Sequence, residues 1–180
     1  PEPTYQPPTI SAVVDCSQTG NDGWCVSTAL LTLTASDPQN FSVSITGDIG
    51  GSTFACDAGE KTCTKDLPDG SGVINYKVTA STSGLIATGS TTWKKDTNFP
   101  VANLVIPNPT GSNGWFKTAP VIVSVTGSDA TSGLASAKMS TDAGTTWQVF
   151  DLSLSTDGNY VVHHGATDLA GNQTDYSGQP

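Results

Sequence analysis

Gly114–Asn172 reads GWFKTAPVIVSVTGSDATSGLASAKMSTDAGTTWQVFDLSLSTDGNYVVHHGATDLAGN, and its periodicity decides the fold class. From Pro120 to Val125, Val121, Val123 and Val125 alternate with Ile122 and Ser124, the period-two pattern of a strand with one apolar face. Ser128-Asp129-Ala130-Thr131-Ser132-Gly133 follows as a turn, because Asp, Ser and Gly each favour chain reversal. Leu134–Met139 alternates again. Ser140–Trp147 is expected to be a hairpin with Asp142 and Gly144 at the bend and an aromatic on the return. Asp157-Gly158 marks a further turn, Asn159–Ala166 a further strand, and Asp168–Asn172 the reversal into a last strand.

The first half of the chain is a worn copy of the second. Gly23-Trp24 matches Gly114-Trp115, Ser36-Asp37 matches Ser128-Asp129, Asp48–Phe54 blurs the Asp142 hairpin, and Asp69-Gly70 matches Asp157-Gly158. The offset drifts between 88 and 94 residues, as insertions in loops between retained strands would produce. The first copy lacks the Asp-Leu-Ala-Gly-Asn turn. No segment keeps a helical period. The expectation is an all-β chain of two tandem sandwiches with about seven strands each: a Pro-rich linker over 1–8, one domain over 9–98 and another over 99–180.

These motifs resemble the immunoglobulin-like repeats of large bacterial surface and secreted proteins. The residues that carry the resemblance are Gly114-Trp115, Ser128-Asp129, Ser132-Gly133, Asp142–Trp147, Gly158-Asn159-Tyr160 and Ala166–Asn172. The resemblance implies two immunoglobulin-like domains in a spacer, adhesive or filament-building role. The partners it implies are neighbouring repeats of the same chain or assembly, or a cell-surface glycan or protein.

Composition narrows the function classes. Sixteen acids face seven Lys and no Arg, a net charge of -9 that argues against nucleic acid and anionic membranes, both of which need a basic face. No apolar run approaches the ~18 residues of a membrane helix, so direct membrane insertion is not expected. The Pro-rich opening reads as a piece of something longer.

Four cysteines, Cys16, Cys25, Cys56 and Cys63, allow three pairings. Cys16–Cys25 and Cys56–Cys63 are favoured because each pair brackets a polar, Gly-containing loop. The repeat comparison agrees: Phe116 and Asn108 or its neighbour stand where the second copy would carry Cys25 and Cys16. Two bridges point to an oxidising, extracellular or cell-surface setting.

Ser140–Trp147 fits the Asp-box of sialidases, S-x-D-x-G-x-T-W, in every position. A sialidase would need several boxes and an Arg cluster, so Asp142, Gly144 and Trp147 are read as a structural hairpin. His163 and His164 are adjacent on a strand, point to opposite faces and cannot jointly chelate a metal. The only glutamates, Glu2 and Glu60, lie in the tail and in a bracketed loop. No catalytic residue and no cofactor are expected. Calcium is the one open ligand, with loop oxygens on Asp96, Asn98, Asp129, Asp168 and Asn172. Trp24, Trp93, Trp115 and Trp147 are expected in the cores; exposed together, they would instead suit a carbohydrate-binding accessory of a secreted hydrolase.

Overall fold

The computed structural model describes residues 3–176; the first two residues of the expected linker and the last four of the second expected domain lie outside the described residues. The chain is all-β and divides into two compact units, with the boundary after Thr97.

The first unit has seven strands: β1 (Thr9–Cys16), β2 (Ala29–Ser36), β3 (Val43–Ile49), β4 (Ser52–Ala55), β5 (Thr62–Asp66), β6 (Gly70–Ala80) and β7 (Ile86–Lys95). They form two antiparallel sheets, ordered β1-β2-β5 and β4-β3-β6-β7. Strand alternation explains the core between them. Ala29, Leu31, Leu33 and Ala35 of β2 turn inward, as do Val43 and Ile45 of β3 and Ile74, Tyr76 and Val78 of β6. Each large aliphatic side chain so enclosed stabilises the unit by about 1.5–3 kcal/mol. A one-residue slip of β2 against β1, where Thr9 faces Ser36 and Cys16 faces Ala29, would turn both leucines to solvent. Disulfides Cys16–Cys25 and Cys56–Cys63 close two loops at the margins of this core. At the N-terminus, the Tyr5 ring meets Phe41 edge-on and Pro8 is buried.

The second unit has six strands among the described residues, not seven. They are β8 (Val101–Val105), β9 (Val121–Ser128), β10 (Leu134–Ser140), β11 (Leu152–Leu154), β12 (His163–Asp168) and β13 (Gln173–Tyr176). The sheets are ordered β8-β9-β11 and β10-β12-β13. The core is smaller: Val123, Met139 and Leu152 are buried, with Leu104, Val121, Val125, Leu154 and Val162 packed around them. The hairpin that β4 completes in the first unit is here the Asp142 bend, returning through a single Met139–Gln148 bridge. One expectation fails. Asn159–Ala166 alternates like a strand, yet β12 starts only at His163, where β10 leaves the ladder at Ser140 for the Asp142 bend. Alternation reports that a segment can pair; a ladder also needs a neighbour.

Candidate functional site

Three loop structures carry the residues singled out in the sequence. The first is the Ser140–Trp147 hairpin. Ala143 and Gly144 both take positive φ at the bend, 55° and 80°. The buried Ser140 hydroxyl donates to Asp142 Oδ1 at 2.6 Å and accepts the Gly144 amide at 3.0 Å. The Thr146 amide donates to Asp142 Oδ1 at 2.8 Å and the Thr146 hydroxyl donates to Oδ2. These donors, Ser140 first and then Thr146, hold the Asp142 carboxyl down at about 2 although it is fully exposed. Such a carboxylate stays ionised and fully engaged, the opposite of a proton donor poised near neutrality. Trp147 does not enter the core. It lies over Gly144, 3.3 Å from where a Cβ would stand, with Lys138 Nζ 4.7 Å from its ring centroid. The ring is a half-buried lid on its own hairpin, because a bend this tight returns the chain onto itself before it can reach between the sheets.

The second structure is a pair of acidic loops in the second unit. Asp129 Oδ1 accepts the amides of Thr131, Ser132 and Gly133, all within 2.9–3.0 Å. Buried Asp168 accepts the Gly171 and Asn172 amides on Oδ1, at 2.7 and 2.8 Å, and Asn172 Nδ2 on Oδ2 at 2.8 Å. The Asn172 amide also reaches the Asn98 carbonyl at 2.9 Å, and the two carboxylates approach within 4.8 Å of each other. Of the sequence-predicted group Asp96, Asn98, Asp129, Asp168 and Asn172, the last four are thus gathered at one end of this unit. Asp96 belongs to the first unit, where it is fully buried and its amide donates to the Cys25 carbonyl at 2.8 Å.

The third structure is a turn built twice. Asn21–Gly23 and Ser112–Gly114 are single 3₁₀ turns that both break at their second residue, Asp22 at φ 50° and Asn113 at φ 55°. A Trp follows each. Gly20 donates to the Trp24 carbonyl at 2.8 Å and Gly111 to the Trp115 carbonyl at 2.7 Å. Burial separates them: Trp24 is 8% exposed, Trp115 62%. The expectation that Trp115 fills a core is therefore corrected. Trp93, 6% exposed, and Trp24 are buried as expected. Trp115 instead borders a groove of about 1000 Å³ shared with Tyr160, Ile106, Asn108 and Asn159. Sequence reasoning missed Tyr160. The signal was present in the aromatic of the Asp157–Tyr160 turn, matched in the first copy by Gly72.

His163 and His164 face Ser140 and Met139 across β10. Partial burial lowers the His164 pKa, opposed by a hydrogen bond with the Ala102 backbone. Compared with protein-family models and with curated proteins, the chain matches none.

Proposed function

We propose that the chain is a non-catalytic structural and adhesive module, a tandem pair of immunoglobulin-like sandwiches. It would serve as a spacer or building block of a larger bacterial extracellular or cell-surface protein or filament. The observation that carries this reading is the use made of the motif residues. Asp142, Asp129 and Asp168 each hold a loop closed by accepting three or more hydrogen bonds from their own segment, so the motif carboxylates are spent on turn geometry. The strand order of the first unit, three strands facing four with β4 beside β3, supports the immunoglobulin-like assignment. The two disulfides are compatible with an extracellular setting.

Stretching single molecules of the full chain tests the proposal. Two separate force peaks are expected, the one from the first unit shortened after oxidation by its closed loops. Extension without peaks would remove the mechanical role. Exposed Trp115 beside Tyr160 favours one second reading, a carbohydrate-binding accessory module. Screening the chain on an oligosaccharide array decides between them: retention that Trp115→Ala abolishes would put the sugar reading first.

A further inference from the structure

Two asparagines open the acceptor sequence of N-glycosylation, Asn-x-Ser/Thr with no Pro in the middle: Asn40-Phe41-Ser42 and Asn172-Gln173-Thr174. Asn108-Pro109-Thr110 has the outer residues but is closed by its proline. The fold treats the two open sequences in opposite ways. Asn40 stands in the β2–β3 turn of the first unit. Buried Asp37 closes that turn: its Oδ1 accepts the Gln39 amide at 2.9 Å and the Phe41 amide at 3.1 Å, and its carbonyl accepts the Asn40 amide at 2.9 Å. Asn40 is exposed and takes φ 62°, the left-handed conformation that asparagine tolerates. Its Oδ1 accepts Lys61 Nζ at 2.6 Å. An ammonium only donates, so this bond fixes the amide's orientation and leaves Nδ2 turned away from Lys61, without a hydrogen bond among the described residues. Phe41 is anchored edge-on against Tyr5, with ring centroids 5.6 Å apart, and Ser42 is exposed.

Asn172 is the reverse case. Its Nδ2 uses both hydrogens inside the second unit, on Asp168 Oδ2 at 2.8 Å and on the Asn98 carbonyl at 2.9 Å. Thr174 donates its hydroxyl to the Pro100 carbonyl at 2.6 Å. A sugar on Asn172 Nδ2 would replace one of those hydrogens and need the space that its acceptor fills. We propose that Asn40 is a glycosylation site of the folded chain, and that the fold closes Asn172 to the same reaction.

The donor is a sugar activated by a diphosphate leaving group, carried on a nucleoside or on a lipid. Asn40 Nδ2 attacks the anomeric carbon. A C–N bond forms as the C–O bond to the diphosphate breaks; the diphosphate leaves with the bonding pair, and one Nδ2 proton passes to the transferase or to water. Nothing is oxidised or reduced. The Asn40 carbonyl takes no part, so the bond from Lys61 survives in the product. The turn is also a fixed target. The Ala35 amide of β2 donates to the Lys61 carbonyl at 2.8 Å and the Gly59 amide to the Val43 carbonyl of β3 at 3.1 Å. The loop closed by Cys56–Cys63 thus clamps both strands that flank Asn40. A transferase meets an exposed amide on a braced turn, and the attached sugar projects from the surface without displacing a bond of the fold.

This inference goes beyond the structural-module reading and does not rest on it. The purified, oxidised full chain is incubated in two arms. One holds a soluble asparagine glucosyltransferase with UDP-glucose, the other a detergent-solubilised oligosaccharyltransferase with its lipid diphosphate oligosaccharide. Intact-mass spectrometry and peptide mapping should find one glycan per chain, on Asn40, and the arm that transfers it identifies the carrier. Asn40→Asp keeps the turn, because Asp also tolerates the left-handed conformation, and it should abolish transfer. Ser42→Ala, which leaves Asn40 in place, should abolish it too. A synthetic peptide spanning Asp168–Tyr176 should accept the sugar in the same arm, while Asn172 of the folded chain does not. No transfer to the folded chain in either arm would overturn the proposal. So would a glycan on Asn172 of the folded chain, or transfer that survives Asn40→Asp or Ser42→Ala. Refusal of the peptide would overturn the second half, since sequence and not fold would then protect Asn172.

Discussion

Trp24 and Trp115 follow the same turn, and their truncation should have very different costs. Trp24 is almost fully enclosed, inside the loop closed by Cys16–Cys25 and beside the end of β7. Trp24→Ala removes that packing and leaves a cavity, a change that costs about 3–5 kcal/mol. Units of this size are stable by about 5–15 kcal/mol, and each kcal/mol moves the midpoint by roughly 4–8 °C. The first unit should therefore melt at least ~12 °C lower. Trp115 is mostly solvated, so Trp115→Ala should fall within about 0.5 kcal/mol of wild type. Differential scanning calorimetry of the two variants in the oxidised chain reads both shifts. Equal losses would mean that Trp115 is buried in solution and would refute the contrast drawn between the two turns.

Three further outcomes are expected. Reducing the bridges, which close loops nine and seven residues apart in sequence, should cost the first unit about 2–3 kcal/mol each in urea titrations and leave the second unit unchanged. His164, its pKa lowered by burial, is neutral in the folded state, so the unfolded chain takes up its proton first. Stability should be flat above pH ~6.5 and fall below it, until the folded-state pKa is passed, with a slope no steeper than about 1.4 kcal/mol per pH unit. His164→Gln should flatten that limb; a limb that survives the substitution refutes the assignment. Because three N–H donors already hold each of Asp129 and Asp168, chelators or about 1 mM calcium should leave the second unit's melt unchanged. A calcium-dependent rise would give Asn98, Asp129, Asp168 and Asn172 a cation role.

What the sequence made legible was local. Period-two alternation in Val121–Val125 and Leu134–Met139 located β9 and β10, because side-chain direction in a strand depends only on the residue's own position. The Asp142, Asp129 and Asp168 loops were legible for the same reason, since each carboxylate bonds amides two to four residues away. The cysteine pairs were local too, each bracketing one short loop. Trp147 escaped the same logic. An aromatic on the return arm of a hairpin can face the sheets or its own bend, and which it does depends on whether glycine opens the bend beneath it, as Gly144 does.

Trp115 and Asn159–Val162 escaped for a deeper reason, and a common one. Matching Trp115 to Trp24 correctly transferred the turn, whose φ angles and Gly-to-Trp hydrogen bond are set by four adjacent residues. It did not transfer burial, which depends on distant chain: Lys94 Nζ stands 5.9 Å from the Trp24 ring and Lys95 bridges Cys25, some seventy positions away. Asn159–Val162 likewise kept the alternation of β6, but β10, a described neighbour of β12, leaves the ladder at Ser140, opposite His163. Both departures fall on one groove, which Trp115, Asn159, Tyr160 and Val162 line together.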